Sequence, residues 1–512
     1  MSTISQPPIE QPIVPTNVPR GIEANGINTI REEERKGHPR DLFLPWFASN
    51  VGVFGISYGA YILFFGLSLW QALLAGVLGV VASFLLVGLV ALAGPRGSAP
   101  TQTVSRAAFG VRGNRVSAIL AWLLTVGWEI ALVVIGTLAF ATVCGKLGLG
   151  SGTGVKIVGI AIITGLTLLG GITGFDLIMR MQGLITVVGA ILTIIVMALT
   201  ASHIHFSTVT ALPNGTTPSF IGAIVLAATG FGLGWVYAGA DYSRYLPRNS
   251  SKRGIVGWTT LGGALGPAIL LSFGVLLSGS SKSLLNGISA DPVGALTQVM
   301  PHWFLVPFIV LTVLGLVAAT VMDVYSSGLN LQAAGLRLPR HLAASVDGTL
   351  MTLGSIYVVF IAKANFLAQF EGFLITLGVP VAGWMGIFLA DLLLRRRDYV
   401  ETDLYNPRGR YGDVRAWPLA LLALATAVGW GMVINTSAGW LNWQGYLLGP
   451  LGLGGKTGTW SGADLGVVVA IVIGFLGTLL TRSQVEHQES LPVPGPESAV
   501  APAVGGAVSG GR

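Results

Sequence analysis

The chain has 512 residues, of which 52% are hydrophobic and only 10% are charged, and its mean hydropathy is +0.73. A soluble globular protein carries about 25% charged residues, so this composition excludes that class and predicts an all-α polytopic membrane protein. The formal net charge of +7 alone would fit a nucleic-acid partner. The only cysteine, Cys144, excludes an internal disulfide and a cysteine-based metal site.

Twelve apolar segments are predicted to cross the membrane as helices. They cover residues 43–67, 70–93, 116–144, 155–173, 177–200, 219–240, 255–279, 303–327, 343–362, 366–394, 416–435 and 463–481. They form one transmembrane domain, residues 43–482. We expect residues 1–42 to be a polar tail without a secretory leader, and residues 483–512 to be a disordered tail.

Lysine and arginine are distributed unevenly between alternate loops. On one side only five of the 29 occur, namely Lys146, Lys156, Lys282, Lys363 and Lys456. The positive-inside rule then places both termini in the cytoplasm. We expect the protein in the cell membrane. The net positive charge is explained by this topology, and no nucleic-acid partner is expected.

Glycines interrupt two segments that are five helices apart. The first segment is interrupted at residues 51–59 and the sixth at residues 230–234. Because five is odd, two halves that each open with a broken helix would be inverted in the membrane, as in many transporters. This predicts repeats at about 43–200 and 219–394, followed by two extra helices. The alternative is that glycine only permits close helix packing.

Acids inside an apolar helix cost at least about 2.5 kcal/mol, so they are functional candidates. Three lie deep: Glu129, Asp323 and Glu371. Four lie near predicted cytoplasmic ends and could only anchor those ends: Asp176, Asp241, Asp347 and Asp391. For Asp241, pairing with Arg244 is the expected role. Asp323 has no basic residue at its depth.

Two tryptophans lie in mid-membrane, where tryptophan is unusual. Trp128 and Trp235 could sandwich a flat heteroaromatic ring, because stacking of a base on an aromatic ring contributes about 1–3 kcal/mol. They could instead only fill space in the core. Glu129 lies about 100° around the helix from Trp128, so both cannot face one point. The other candidates for substrate contacts are Phe231 in the sixth-segment break and the polar residues Asn50, Thr320, Asn365 and Gln369.

Signatures of enzymes are absent from the sequence. It contains neither a zinc-binding His-Glu-x-x-His nor a phosphate-binding Gly-x-x-x-x-Gly-Lys loop, and no nucleophile–base pair is evident. We therefore expect no catalytic residues, no cofactor and no metal ligands. A channel would need a continuous polar pore, and mid-membrane polar residues are too few for one.

Several motifs together resemble the nucleobase–cation symporter family of purine and cytosine permeases. They are Gly21 to Glu23, Pro39 to Asn50, Gly66 to Ala72, Ser105 to Gly110, Gly127 with Trp128, Trp235 with Asp241 to Pro247, and Tyr325 to Leu329. The resemblance implies a leucine-transporter-type fold of two inverted five-helix repeats plus two further helices. It also implies alternating access.

The resemblance places the family's stacking tryptophans on Trp128 and Trp235. A polar amide that relatives carry four residues after the first tryptophan falls on Leu132, and an eighth-segment asparagine falls on Asp323. At both positions this sequence lacks the amide side chain of the relatives, which weakens the inference that it binds a substrate through the same hydrogen bonds as relatives that bind cytosine or hydantoin. The inference that the two tryptophans stack on the substrate is unaffected.

The resemblance also suggests how transport is driven. Sodium-coupled relatives use eighth-segment hydroxyls, but Val313 to Ala319 contains none, and sodium favours several oxygen ligands. A buried carboxyl group favours its protonated form and can carry a proton, so we favour protons over sodium, with Asp323 as first and Glu129 as second coupling candidate. Open alternatives are a sodium-coupled symporter, a permease for a cationic heterocycle such as thiamine, and a non-transporting receptor.

Overall fold

The computed structural model describes residues 21–362, 366–435 and 439–493. Within these ranges the regular elements are all helices. The first eleven α-helices are α1 Phe43–Ala48, α2 Phe54–Leu63, α3 Leu69–Ala91, α4 Ala93–Gly97, α5 Thr101–Val104, α6 Arg106–Phe109, α7 Arg115–Lys146, α8 Thr153–Thr173, α9 Phe175–Thr200, α10 Phe206–Thr210 and α11 Thr217–Gly230. The others are α12 Gly232–Trp235, α13 Gly239–Ser243, α14 Lys252–Gly279, α15 Lys282–Ile288, α16 Leu305–Ala333, α17 Arg340–Phe360, α18 Phe366–Leu394, α19 Ala416–Gly431, α20 Leu465–Leu479 and α21 Arg482–Ser490.

Nine helices in the described ranges are long and apolar enough to cross a membrane, or ten if the bent pair α20–α21 is one span. They correspond to the second to tenth predicted segments, with the bent pair at the twelfth. The first segment is divided into two short helices, and α19 has only 16 residues. The multi-pass architecture is therefore present, whereas the count of twelve spanning helices stays a prediction.

Both predicted interruptions occur as real breaks in helices. Between α1 and α2 the chain leaves the helix over residues 49–53. Between α11 and α12 only Phe231 leaves it, with φ −121° and ψ −105°. The backbone groups freed there have partners, because the Tyr58 hydroxyl donates to the Gly230 carbonyl at 3.2 Å and the Gly232 amide donates to the Ser83 hydroxyl at 3.1 Å.

The first break lies earlier than its glycines predicted. Gly55 and Gly59 are inside α2. A Cβ on Gly59 would lie 2.2 Å from the backbone of Gly274, and a Cβ on Gly274 would lie 1.9 Å from the carbonyl oxygen of Ile56. At these positions glycine therefore lets the backbones of α2 and α14 pack against each other. For Gly55 and Gly59, the alternative given above, that glycine permits close helix packing, is the one that applies.

The long helices form one packed bundle around the two breaks. Helix α16 contacts α7, α8, α9 and α17, while α14 packs on α2 and α3. Helix α18 contacts α19 and α20 on one side and α7, α11 and α12 on the other. The connection between α3 and α7 contains the short helices α4 to α6, most of whose residues are buried.

Parts of both tails pack against the bundle. Glu23, in the N-terminal segment, forms ion pairs with the buried Arg244 at 3.2 Å and Arg340 at 3.7 Å. The predicted disorder of residues 483–512 is wrong for α21, because Gln488 accepts a hydrogen bond from the buried Arg395 at 2.7 Å. Residues 1–20 and 494–512 and the candidate Asn365 lie outside the described residues, as does the side chain of Glu371.

Candidate substrate site

A cavity lies where the two helix breaks meet, between α7 and α16. Its empty space is about 640 Å³, its opening to solvent included. Its lining comes from the first break and α2, from α7, from the second break, and from α16. The lining residues are Ser49, Asn50, Gly52, Val53, Phe54, Gly55, Tyr58, Trp128, Leu132, Gly230, Phe231, Gly234, Trp235, Thr312, Gly315, Leu316, Ala319 and Asp323.

The structure brings together six of the residues singled out from the sequence: Asn50, Trp128, Leu132, Phe231, Trp235 and Asp323. Thr320 and Gln369 are not part of the lining, and Thr320 is wholly buried and donates its hydroxyl to the Leu316 carbonyl at 2.7 Å. Thr312, eleven residues before Asp323 and therefore on the same face of α16, lies in the lining instead.

The two indoles are fixed by other aromatic rings. The Trp128 ring lies edge-on to Phe370, with centroids 5.1 Å apart, and a Cβ on Gly234 would lie 2.9 Å from its Nε1. The Trp235 ring lies edge-on to Trp46 at 5.6 Å and stacks on Tyr237 at 6.5 Å. Because neighbours hold each ring, the walls of the cavity are formed before any ligand enters.

Few polar groups face the cavity. The Asn50 amide donates to the Trp46 carbonyl at 2.8 Å, which leaves its side-chain oxygen as an acceptor. The Trp128 indole N–H is buried and has no partner. Asp323 is 2% exposed and accepts a hydrogen bond from the Tyr237 hydroxyl at 2.5 Å. Among the described lining residues, a flat molecule beside the indoles would meet the Trp128 N–H as a donor and the oxygens of Asn50 and Asp323 as acceptors.

The sequence profile of one family matches residues 29–449, most of the chain, and that family is described as a permease for cytosine/purines, uracil, thiamine and allantoin. The chain belongs to this permease family. It is a multi-pass membrane transporter and not an enzyme, in agreement with the sequence.

Two curated proteins are similar to the permease over most of their length. YxlA of Bacillus subtilis, described as a candidate purine-cytosine permease, is 25% identical over 475 residues, which are 88% of this chain and 94% of YxlA. The purine-cytosine permease FCY2 of Saccharomyces cerevisiae is 24% identical and covers 88% of this chain and 84% of its own.

Solved structures show that the fold is shared with other transporters. Mhp1, a nucleobase-cation-symport-1 family transporter, in a closed conformation with bromovinylhydantoin bound, superimposes with a TM-score of 0.67 at 18% identity over 93% of this chain and 98% of its own. A Na⁺-coupled sialic acid symporter gives 0.57 at 13% identity over 88% and 90%. At these identities the comparison concerns the fold alone.

The acids of the permease fall into different environments. Glu129 is wholly buried and does not line the cavity, so Trp128 and its neighbour face different directions as expected. Asp347 does not merely anchor a helix end. It is wholly buried and accepts hydrogen bonds from Trp122 at 3.0 Å and Ser327 at 2.5 Å.

The remaining acids have structural partners near helix ends. Asp391 forms a buried ion pair with Arg395 at 2.7 Å, which anchors the end of α18. Asp241 accepts hydrogen bonds from the backbone and hydroxyl of Thr101 at 2.8 and 2.9 Å, while Arg244 pairs with Glu23. Asp241 thus connects α13 to α5, and in the described part of the chain the expected ion pair with Arg244 is replaced by the pair between Arg244 and Glu23.

Several residues of the cavity lining were not predicted from the sequence. Tyr58 packs its ring 4.3 Å from Phe231 and ties the two breaks together through Gly230. Helical spacing could have identified Thr312, since positions 312, 316, 319 and 323 follow one face of α16. Tyr58 had no comparable signal, because its position depends on a contact with a residue 172 positions away.

Proposed function

We propose that this permease imports a nucleobase or a related heterocycle by alternating access across the cell membrane. The observation that supports this best is one cavity, at the junction of two broken helices, lined by two preformed indoles and one carboxyl group. The proposed architecture is two inverted five-helix repeats plus two C-terminal helices, with both termini cytoplasmic.

The walls of the cavity suit a flat ring from the cytosine, purine, uracil or allantoin class. Stacking between aromatic faces contributes about 1–3 kcal/mol per base and tolerates different ring types. Selectivity would then depend on hydrogen bonds along the ring edge. Asp323 and the Asn50 oxygen offer acceptors for ring N–H or amino groups, and the Trp128 N–H offers a donor.

A cationic heterocycle such as thiamine is the second candidate. The cavity lining in the described ranges contains a carboxyl group, Asp323, but neither lysine nor arginine. An ionised Asp323 would attract a positively charged ring, and the family description includes thiamine. A neutral Asp323 would favour the uncharged heterocycles instead.

Coupling to protons is favoured over coupling to sodium by the surroundings of the first break. The Val51 carbonyl oxygen in this break is a possible sodium ligand, and a Cβ on Gly189 or on Gly315 would lie 3.6 Å from it. Because both positions are glycine, neither supplies a side-chain oxygen as a further ligand. The Thr312 hydroxyl, which lines the same cavity, donates to the Phe308 carbonyl and could offer one oxygen ligand. Sodium would find few ligands there, whereas Asp323 offers a buried carboxyl group that can bind and release a proton.

Competition and counterflow in proteoliposomes test the proposal. Uptake of radiolabelled cytosine is measured against unlabelled adenine, uracil, allantoin and thiamine, with each compound then used as the label. We expect one neutral heterocycle to compete best and to show counterflow. Preference for thiamine would select the second candidate. Binding of a heterocycle without counterflow would contradict transport and indicate a receptor, and steady ionic conductance would indicate a channel.

A further inference from the structure

Behind the cavity, two carboxyl groups from different helices lie against each other. Glu129 on α7 interacts with Asp347 on α17, and both residues are 0% exposed. Trp122, whose indole donates to Asp347, lies two turns before Glu129 and therefore on the same face of α7. Neither oxygen of Glu129 receives a hydrogen bond, and neither does Oδ2 of Asp347. Ionised carboxylates can only accept, so a hydrogen bond between the two groups requires a proton, which would give a partner to one oxygen of each group.

The protein positions one member of the pair precisely. Oδ1 of Asp347 accepts hydrogen bonds from the Trp122 indole at 3.0 Å and from the Ser327 hydroxyl at 2.5 Å. These donors come from α7 and α16, so three helices meet at this carboxyl group. Two donors stabilise a carboxylate on Asp347, which leaves Glu129 as the natural carrier of the proton.

The charges around the pair are negative. From α16 the acid Asp323 acts on Glu129, and the segment after α12 contributes the Tyr237 hydroxyl, which is bonded to Asp323. Arg340, on the same helix as Asp347, donates instead to the carbonyls of Gly171 and Ile172. On α8 the only charged residue is Lys156. It lies in the first turn, at the end of α8 opposite to the carbonyls of Gly171 and Ile172.

Two adjacent carboxyl groups without a cation cannot both be ionised, since like charges disfavour each other's charged form. In the described part of the chain, no three His, Cys, Asp or Glu side chains are arranged to hold a metal ion. The ligand that this pair fits is therefore a single proton.

We propose that Glu129 and Asp347 form a second proton-binding site, separate from Asp323, which holds one proton between two carboxyl groups and exchanges it during the transport cycle. Uptake forms one O–H bond on Glu129 or Asp347, release to water breaks it, and no electron is transferred. The exchange during transport rests on the proposed function, whereas the shared proton does not.

Infrared spectroscopy of the purified full-length protein in nanodiscs tests for the shared proton directly. An Asp323→Asn background removes the signal of the cavity carboxyl group. We expect a protonated-carboxyl band at neutral pH that disappears or shifts in both Glu129→Gln and Asp347→Asn. Asp291→Asn is the matched control, because Asp291 is a mostly buried loop carboxyl group whose pKa is raised by desolvation. A band unaltered in either variant of the pair would overturn the proposal.

Transport measurements test the coupling role in an otherwise unmodified chain. In proteoliposomes given radiolabelled cytosine, adenine, uracil, allantoin or thiamine on the outside, Glu129→Gln and Asp347→Asn should retain counterflow but lose about tenfold or more of proton-driven accumulation. The double variant should be no worse than either single variant, because the residues act as one site. Full accumulation in either single variant would refute the coupling role.

The two experiments separate this inference from the proposed function. If the wild-type protein transports none of the five compounds, the proposed function fails while the infrared result still decides whether the pair shares a proton. If transport occurs and the band is unaffected, only the inference fails.

Discussion

At the scale of single residues, the cavity depends on the absence of a side chain at Gly234. A Cβ there would lie 2.9 Å from Nε1 of Trp128, so Gly234→Ala has to displace that indole. Stacking contributes about 1–3 kcal/mol, and we expect the affinity for the transported heterocycle to fall roughly tenfold. Equilibrium binding of the radiolabelled compound to purified protein measures this change.

The matched control is Gly257→Ala, at an exposed position of α14 where a Cβ meets no atom within 4 Å. This variant should bind like the wild type. Equal affinities for the two variants would show that Trp128 is not a wall of the binding site.

The candidate residues differ in how far the sequence could locate them. Trp128, Trp235 and Asp323 were recognisable because large aromatic rings and acids are costly or unusual in mid-membrane. Asp347 was not, since it follows the start of α17 by two turns and resembled a helix-end acid. Its partner Trp122 is 225 residues away in the chain, and no local pattern indicates such a contact.

At the scale of elements, the break between α11 and α12 needs partners for the backbone groups that it frees. The Ser83 hydroxyl, on α3, accepts the hydrogen bond of the buried Gly232 amide at 3.1 Å. In Ser83→Ala that amide would lose its partner, which costs about 1–3 kcal/mol. We expect the melting temperature in detergent to fall by a few degrees.

Ser272→Ala is the control for this variant, because the Ser272 hydroxyl donates only to the Ala268 carbonyl of its own helix. It should melt close to the wild type. If Ser83→Ala also did so, the break would not depend on this hydrogen bond.

A second element-scale feature is the cluster around Glu23 at one end of the bundle. Glu23 pairs with Arg244 and Arg340, whose side chains are 0% exposed, and accepts hydrogen bonds from the Phe175 amide at 2.8 Å and the Tyr325 hydroxyl at 3.1 Å. These partners belong to α9, α16, α17 and the residues after α13. The N-terminal segment therefore holds four parts of the bundle together, and we infer that it keeps this end closed.

Glu23→Gln should favour opening at this end, because removing one partner of a buried ion pair costs about 3–5 kcal/mol. Ser326→Cys in a Cys144→Ala background provides the reporter, since Ser326 is wholly buried one turn from Asp323. We expect a water-soluble thiol reagent to modify it at least about tenfold faster in Glu23→Gln. The control is Glu33→Gln, which changes an exposed ion pair with Arg31 and should leave the modification rate unaltered. Equal modification rates in Glu23→Gln and Glu33→Gln would contradict the inference that Glu23 keeps this end of the bundle closed.

At the scale of the whole molecule, composition and glycine placement were enough to predict a helical membrane protein with two broken helices. The tails were predicted less well. Residues such as Glu23 and Gln488 belong to polar stretches that resemble solvated tails, and only the folded bundle supplies the buried arginines to which they bind. The positions of these arginines depend on contacts between distant segments, which composition does not encode.

The central claim is that one cavity binds a heterocycle and couples its movement to protons through Asp323. The most direct test is uptake of the radiolabelled heterocycle into proteoliposomes, with proton and sodium gradients imposed separately, in the wild type and in Asp323→Asn. We predict that an inward proton gradient alone drives accumulation in the wild type and that Asp323→Asn abolishes it. Accumulation driven only by sodium, or full accumulation by Asp323→Asn with an unaltered pH dependence, would contradict the claim.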